Sequence, residues 1–157
     1  GTAIYDTQGN IIETKNADGI ISRTVYDTNG REYITQNAHI EGSPATGSRS
    51  IYDSIGRIIR TEQLENVVVS LSNGNSTFVR GDVVSSISTV YDAAGQAIRQ
   101  IDANGNITQY EFDACGRNIA TIDALGNRTE FTYDAAGIIG TYDCHITDTI
   151  LNADSHC

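Results

Sequence analysis

The side chains with the most reactive chemistry lie near the end of the chain. Two mirrored pairs, Cys144-His145 and His156-Cys157, would supply two sulfurs and two nitrogens to a zinc ion. Adjacent ligands at both ends depart from the usual spacing of two to four residues, so a disulfide between Cys144 and Cys157 is the favoured interpretation, with free thiols as the next one. Such a bridge would close a short terminal loop and suits an extracellular protein.

Carboxylates are the second group of side chains that could do chemistry. The chain has 20 Asp and Glu against 10 Lys and Arg, and its net charge is −10. The segment Asp102-Ala-Asn-Gly-Asn resembles the start of a calcium loop, but the twelfth position is Asp113 where a bidentate Glu is needed. A solvated turn is the favoured interpretation. The negative charge also disfavours nucleic acid and anionic membranes as partners.

Patterns for nucleophile elbows, phosphate loops, metalloprotease helices and dinucleotide binding do not occur in the chain. We therefore predict no catalytic residue, no cofactor and no metal ligand, and expect that the protein is not an enzyme. No stretch resembles a membrane span or a signal segment, and the absence of Met indicates a processed product or a piece of something longer.

The aspartates belong to an internal repeat in which an aromatic residue is followed by Asp-x-x-Gly. Successive aromatic positions are separated by 21, 26, 39, 21 and 21 residues. A period near twenty is typical of a stacked array. The repeat residues are Tyr5, Asp6 and Gly9; Tyr26, Asp27 and Gly30; Tyr52, Asp53 and Gly56; Tyr91, Asp92 and Gly95; Phe112, Asp113 and Gly116; and Tyr133, Asp134 and Gly137.

Each Asp-x-x-Gly unit predicts a tight turn, because Asp accepts hydrogen bonds from the turn's own backbone and Gly adopts positive φ cheaply. We expect a type I turn with a glycine bulge. A second phrase, as in Asp102 to Asn106 and Asp123 to Asn127, falls halfway between the aromatic copies. Alternating segments of 6 to 7 residues between turns predict strands, so each 21-residue unit is one antiparallel hairpin.

The fold class is therefore all-β: an antiparallel meander of repeated hairpins that forms a twisted or spiralling strip, open at both ends. We expect about 14 strands, no sustained helix, and a repeat region over residues 1–142. It includes an enlarged turn at about 37–47 and an inserted hairpin at about 67–84. Residues 143–157 break the pattern and act either as a cap or as a strand donated to another copy, through Ile150 and Leu151.

The motif Tyr-Asp-x-x-Gly-Arg at 26–31 and 52–57, its Phe version at 112–117, and Gly-Asn-x-Thr between copies resemble the YD-repeat, or RHS-repeat, family. The resemblance covers Tyr5 to about Tyr142. It implies a β-strip of the kind that spirals into a hollow shell in bacterial RHS and toxin-complex proteins and in teneurins, and so a scaffold rather than a catalyst. The Asp-Pro pair of the bacterial self-cleavage segment is absent, so self-proteolysis is not carried over.

Three functions follow from this organisation. Open edge strands favour an extracellular or cell-surface scaffold, for instance on bacteria, whose copies assemble end to end into a filament or a larger β-shell. The first alternative is a fragment of an encapsulating shell, in which further repeats of the same chain are the partners. The second is an adhesion module that binds carbohydrate or protein through exposed aromatic residues.

Two further sets of side chains carry candidate modifications. Asn75, Asn106 and Asn127 begin glycosylation triplets, so glycans are candidate attachments in a secretion pathway. Cys115 lies in a turn on the side of the strip opposite Cys144, about 20 Å away by strand length, beyond the roughly 7 Å reach of a bridge. We therefore expect Cys115 to be a free or intermolecular thiol.

Overall fold

The computed structural model describes residues 1–135, 137 and 139–144. Within them the chain forms twelve strands and no helix, and neighbours in sequence are neighbours in the sheet. The strands are β1 (Thr2–Tyr5), β2 (Ile11–Lys15), β3 (Ile20–Tyr26), β4 (Glu32–Ile40), β5 (Gly47–Tyr52), β6 (Ile58–Ser72), β7 (Asn75–Tyr91), β8 (Ala97–Ile101), β9 (Ile107–Phe112), β10 (Asn118–Ile122), β11 (Arg128–Tyr133) and β12 (Ile139–Cys144). This confirms the all-β meander. Among these residues, no helix has the length and apolar character needed to span a bilayer.

The chain divides into two compact units. The first unit is Gly1–Ile87 and the second unit is Ser88–Cys157, so the division falls inside β7. The first unit contains the enlarged turn and the inserted hairpin, whereas the second is built from short strands of five or six residues after the end of β7. The two units therefore differ mainly in what has been added to the same repeat.

The repeat turns have the geometry predicted for Asp-x-x-Gly. At Asp27, the Gly30 N–H donates to the Asp27 carbonyl at 3.0 Å, and the Asp27 N–H donates to the Arg31 carbonyl at 2.8 Å. Gly30 has a φ of 77°, in the left-handed region that a residue without a Cβ enters at low cost. The same pair of backbone bonds recurs at Asp6, Asp53, Asp92, Asp102, Asp113 and Asp123. The predicted turn with a glycine bulge is confirmed.

A second irregularity follows five of the six aromatic turns and was not predicted. The register slips by one residue between the aromatic residue and the residue before it. For example, Val25 pairs with Ile34 but Tyr26 pairs with Glu32. The extra residue there is Tyr33, and bulky apolar side chains take the equivalent place in the other bulged strands, at Ile12, Ile59, Ile98 and Ile119. The turns at Asn16, Asp102 and Asp123 join strands without such a slip. Bulges of this kind locally increase strand twist.

The count of about 14 strands was wrong, because the inserted hairpin does not form separate strands. Instead β6 and β7 run for 15 and 17 residues and meet at the turn containing Asn73 and Gly74. The enlarged turn is also shorter than predicted, since β4 continues through His39 to Ile40, and Ile20 pairs with Ile40. A period-two pattern marks strand residues but does not show whether two strand segments join into one.

The far part of the long hairpin lies over the first unit and completes its core. Val67 and Val69 of β6 are buried against Val25 and Ile34 of β3 and β4, and Phe78 of β7 packs on the same cluster. A Cβ at Gly47 would lie 2.2 Å from the Thr35 carbonyl oxygen and 3.1 Å from Val67 Cγ2. Glycine at this position therefore permits the close approach of the covering strand.

Polar side chains on the covered face bond to the backbone of the covering strand. Gln36 Nε2 donates to the Val67 carbonyl at 2.8 Å, and Arg23 Nη1 donates to the Val69 carbonyl at 3.1 Å. Arg23 is also paired with Glu13 at 2.7 Å, so its charge is neutralised where it is largely shielded from water. The hairpin is held by directed bonds as well as by apolar contact.

We expect Ile34→Ala to lower the free energy of unfolding by about 2–5 kcal/mol, because Ile34 is fully buried beneath the long hairpin. Urea denaturation of this variant, a control variant and the parent protein measures the difference. The matched control is Ile55→Ala, since Ile55 is 74% exposed in a turn and its truncation should change stability by less than about 0.5 kcal/mol. Equal losses would contradict the assignment of the core.

Candidate functional site

The repeated Asp turn is the structural element that recurs most regularly, and its side chains form what we call the turn clamp. One oxygen of the Asp carboxylate accepts the backbone N–H groups two and four residues later, and the other oxygen accepts a side-chain N–H of the residue four later. At Asp102 these bonds come from Asn104, from the Asn106 backbone and from the Asn106 amide, at 2.8, 2.9 and 2.8 Å. At Asp113 the last donor is Arg117 Nε, at 2.7 Å.

Among the described residues, six turns have the complete clamp in the bonds given below, and the donor at the fourth position after their Asp is Asn or Arg. The pairs are Asp6 with Asn10, Asp27 with Arg31, Asp53 with Arg57, Asp102 with Asn106, Asp113 with Arg117, and Asp123 with Asn127. Asn16 replaces Asp in one further turn, and its side-chain oxygen accepts the backbone bonds from Asp18 and Ile20. The clamp thus tolerates an amide where no side-chain donor follows.

These hydrogen bonds stabilise the ionised carboxylate. The Asn106 side-chain amide, followed by the Asn106 backbone N–H, lowers the pKa of Asp102 below its ordinary value of 3.8. At Asp113 the backbone N–H of Arg117 is the main cause of the lowered pKa, with the Arg117 side chain adding to it. The pKa is lowered in all six complete clamps, at Asp6, Asp27, Asp53, Asp102, Asp113 and Asp123.

A second contact, which we call the latch, joins successive repeats. The Tyr52 hydroxyl donates to the Glu32 carbonyl at 2.7 Å, and Glu32 is the fifth residue after Asp27 of the preceding repeat. Tyr26 bonds the Ile11 carbonyl in the same way, and Tyr133 bonds the Asn118 carbonyl. Each of these tyrosines therefore lies over the turn of the repeat before it.

Arginine at the fourth position after Asp serves both contacts. The Arg31 guanidinium lies 4.3 Å from the centre of the Tyr52 ring, and the Arg117 guanidinium lies 4.7 Å from that of Tyr133. Each also donates from Nε to the Asp of its own turn. A cation held by a carboxylate and stacked on an aromatic ring explains why Tyr, Asp, Gly and Arg recur together.

Two aromatic positions depart from this arrangement. Phe112 follows the Asp92 turn but has no hydroxyl, so it lacks the donor of a latch. Tyr5 is 56% exposed at the first strand, whereas the three latched tyrosines are half-buried. Tyr5 thus carries the latch donor without a repeat turn beneath it among the described residues.

The other predicted sites separate into those the structure describes and those it does not. Cys115 has a free, exposed thiol. The candidate disulfide and zinc ligands His145, His156 and Cys157 lie outside the described residues, so the Cys144–Cys157 bridge stays a prediction. Within the described residues, no three side chains of the His, Cys, Asp or Glu type are grouped to hold a metal.

The glycosylation triplets have different surroundings. The Asn106 and Asn127 amide nitrogens donate to Asp102 and Asp123 at 2.8 Å, so a glycan on either would displace a clamp bond. Asn75 is exposed beside the turn that joins β6 and β7, and its amide lies 3.4 Å from the Asn73 carbonyl. A glycan on Asn75 would therefore disrupt less of the hydrogen bonding than one on Asn106 or Asn127.

Sequence reasoning found the Asp and the Gly of each turn but not the role of the residue after Gly. The recurrence of Asn, Arg or Gln at the fourth position after Asp was the available signal. It also missed the bulged strand residue at the sixth position, although Ile or Tyr occurs there in five copies. Arg at the fourth position connects one hairpin to the next at Arg31 and Arg117, which lie on the rings of Tyr52 and Tyr133.

Comparisons with known proteins agree with the repeat. Residues 91–117 match the family described as RHS Repeat, which confirms the resemblance for the segment from Tyr91 to Arg117. No curated protein sequence matches the chain. Two solved structures are similar in fold, "Crystal Structure of TcdB2-TccC3-TEV" and "Crystal Structure of TcdB2-TccC3-Cdc42", each at 18% identity over 90% of this chain, with TM-scores of 0.49 and 0.48. The chain spans 9% of the length of either of those chains.

The clamps predict a loss of stability in acid. Each clamp carboxylate has a lowered pKa in the folded state, so its contribution is complete above the unfolded pKa near 3.8 and is lost as the pH falls through the lower folded value. We expect the urea midpoint to fall as the pH is lowered below about 4, in unfolding curves followed by circular dichroism. Asp102→Asn should be less stable at pH 6 yet lose less on acidification. If the urea midpoint of Asp102→Asn changed with pH in the same way as that of the parent, the clamp would not be the cause of the acid sensitivity.

Removing a latch hydroxyl and adding one at another repeat should have opposite effects on the free energy of unfolding. Tyr52→Phe should lower the free energy of unfolding by about 0.5–1.5 kcal/mol, because it removes one hydrogen bond to the Glu32 carbonyl. Phe112→Tyr should raise it by up to about that amount, because a hydroxyl there would face the Ala97 carbonyl, the fifth residue after Asp92. Urea denaturation measures both, and a destabilised Phe112→Tyr protein would show that the latch does not extend to this repeat.

Proposed function

Because residues 91–117 are an RHS repeat, we propose that this chain is a non-enzymatic structural scaffold, extracellular or at the cell surface, that assembles end to end through its terminal strands. The observation that supports it is the unlatched Tyr5 on the edge strand β1. The tyrosines that follow it at Tyr26 and Tyr52 each bond to a preceding turn. A preceding hairpin at β1 would supply Tyr5 with the same partner.

The surface around Tyr5 has the apolar character of a repeat interface. Tyr5 and Ile11, which pair across β1 and β2, are 56% and 41% exposed, and Ile4 on the opposite face of β1 is 43% exposed. Strand β1 pairs with β2, and no strand pairs with its other side among the described residues. An edge of this kind leaves backbone donors and acceptors for another strand.

A second copy of this chain is the occupant we propose for the β1 edge. Every hairpin is a variant of one unit, so the last hairpin of one copy resembles the hairpin that would precede Tyr5 in another. Such a contact joins two different surfaces, and it extends into a filament unless the rotation between copies closes a ring. No part of this role requires a catalytic group or a cofactor.

A shell fragment is the second candidate, and the RHS match supports it equally. In that case earlier repeats of a longer chain occupy the β1 edge, and copies do not associate. The two candidates use the same clamp and latch. They differ only in whether the hairpin that meets Tyr5 is covalently continuous with it.

Sedimentation velocity over a range of concentrations tests self-association. We expect the purified chain to form larger species as concentration rises, and Tyr5→Ala to abolish them because it removes both the ring and the hydroxyl. Tyr5→Phe should weaken association by roughly 2- to 12-fold, the equivalent of one hydrogen bond of about 0.5–1.5 kcal/mol. Negative-stain electron microscopy would show whether the large species are filaments.

Ile55→Ala is the matched control, because Ile55 is 74% exposed in the turn between β5 and β6, away from both β1 and the last hairpin in strand order. It should associate like the parent. A parent that stays monomeric at every concentration would reject end-to-end assembly in favour of the shell fragment. Equal losses of association in the Tyr5 and Ile55 variants would show that exposed apolar side chains act without specificity.

A further inference from the structure

The repeat allows the two units to be compared residue by residue. When Tyr26 is aligned with Phe112, every position of the first unit from Glu13 to Gln36 corresponds to one 86 residues later. Glu13, Arg23 and Gln36 are cross-strand neighbours in the first unit, and Arg99, Gln109 and Ile122 are cross-strand neighbours at the equivalent positions of the second. We call the sheet face that carries each set the row face of its unit.

The row face of the first unit is covered. Val67 and Val69 of β6 lie on it, and their carbonyls accept the bonds from Gln36 and Arg23. Under this cover Val25 and Ile34 are 6% and 0% exposed, and they form one buried cluster with Val67 and Val69. Ile12 of β2 and Ile21 of β3 are 2% and 1% exposed. An extended apolar segment is therefore the kind of partner that this face accepts.

The row face of the second unit keeps part of this plan without the cover, since the equivalents of Val25 and Ile34 are Glu111 and Ala120. Ile98 and Ile107, the equivalents of Ile12 and Ile21, are only half-buried, and Arg99 and Gln109 are exposed. A cleft of about 580 Å³ opens here, lined by Ile98, Gln109, Ile119 and Ile122 among others. Half-buried isoleucines beside exposed polar side chains are what the first unit's face would present without its covering strand.

The C-terminal residues of the chain begin close to this face. The row of paired residues continues from Ile122 through Arg128 to Cys144, the last residue of β12. Cys144 is thus two strands, or about 10 Å, from Ile122. The 13 residues from 145 to 157 follow directly, and they can reach up to about 45 Å when extended. This exceeds the width of the β8 to β12 sheet, which is about 20 Å.

The composition of residues 145–157 fits the cleft. Ile146, Ile150 and Leu151 supply apolar side chains for a floor of isoleucines, as Val67 and Val69 do in the first unit. Asp148 supplies a negative charge, and the exposed Arg99 makes no ion pair within the described part of the chain. The cleft is also lined by Asp92 and Glu111, so the electrostatic match is limited to one candidate ion pair between Asp148 and Arg99.

We propose that residues 145–157 bind the row face of the second unit of their own chain, covering the cleft as the long hairpin covers the first unit. The segment then acts as a cover for a sheet face rather than as a strand added to the sheet edge. Burial of Ile98, Ile107, Ile119 and Ile122 is the driving force, since their apolar surface leaves water.

Methyl NOE spectroscopy on the full chain, with Ile and Leu methyl groups labelled, tests this contact directly. We expect cross-peaks from the Ile150 and Leu151 methyls to those of Ile119 and Ile122. These peaks should persist on dilution. They should be absent from an isotope-filtered experiment on mixed labelled and unlabelled chains, because the contact is within one molecule.

Paired substitutions provide a second readout. Ile150→Asp with Leu151→Asp should shift the Ile98, Ile107, Ile119 and Ile122 methyl resonances and remove the cross-peaks. Thr147→Asp with Asn152→Asp, which adds the same charge without removing an apolar side chain, should leave them in place. Cross-peaks seen only between different molecules would overturn the proposal in favour of donation to another copy. The absence of any cross-peak to these isoleucines would overturn it outright.

Discussion

The hydrogen bonds to the Asp carboxylate of each turn are the interaction on which the remaining structure depends. One side chain accepts two backbone N–H groups and one side-chain N–H within five residues, so each chain reversal is fixed locally. Outside β4, β6 and β7, strands of four to seven residues then pair because the turns end them at similar intervals. A charged acceptor is suited to this task, since hydrogen bonds to an ionised group are stronger than those between neutral groups.

Local turns do not by themselves join one hairpin to the next, and the latch supplies this connection. The tyrosine that begins one turn contacts the turn of the previous repeat, through its hydroxyl and, where Arg is present, through its ring. Because the contact is directed backwards at Tyr26, Tyr52 and Tyr133, a repeat with Tyr at this position presents a donor at one end and an acceptor at the other. This polarity is the physical basis for extension by further repeats, whether they belong to the same chain or to another.

The long hairpin shows how one insertion changes a repeat strip. A single sheet layer buries little apolar surface, and in the second unit Ala120 is the only apolar residue recorded as fully buried in its described part. In the first unit the 15- and 17-residue strands extend past the strip and return over its face, so that Val25 and Ile34 are shielded. Stability is therefore expected to be unequal along the chain, with the first unit holding most of the core.

The sequence by itself determined the strands, the turns and their order, because Asp-x-x-Gly and period-two alternation act within ten residues and need no distant partner. Only the tertiary structure decided that 67–84 would extend two strands and fold over β3 and β4, since an alternating apolar segment has the same pattern whether it lies in a sheet or across one. It likewise decided which face became a core, why Gly47 must lack a side chain, and that Arg31 reaches Tyr52. Those contacts join residues far apart in the chain, where spacing carries no information about distance.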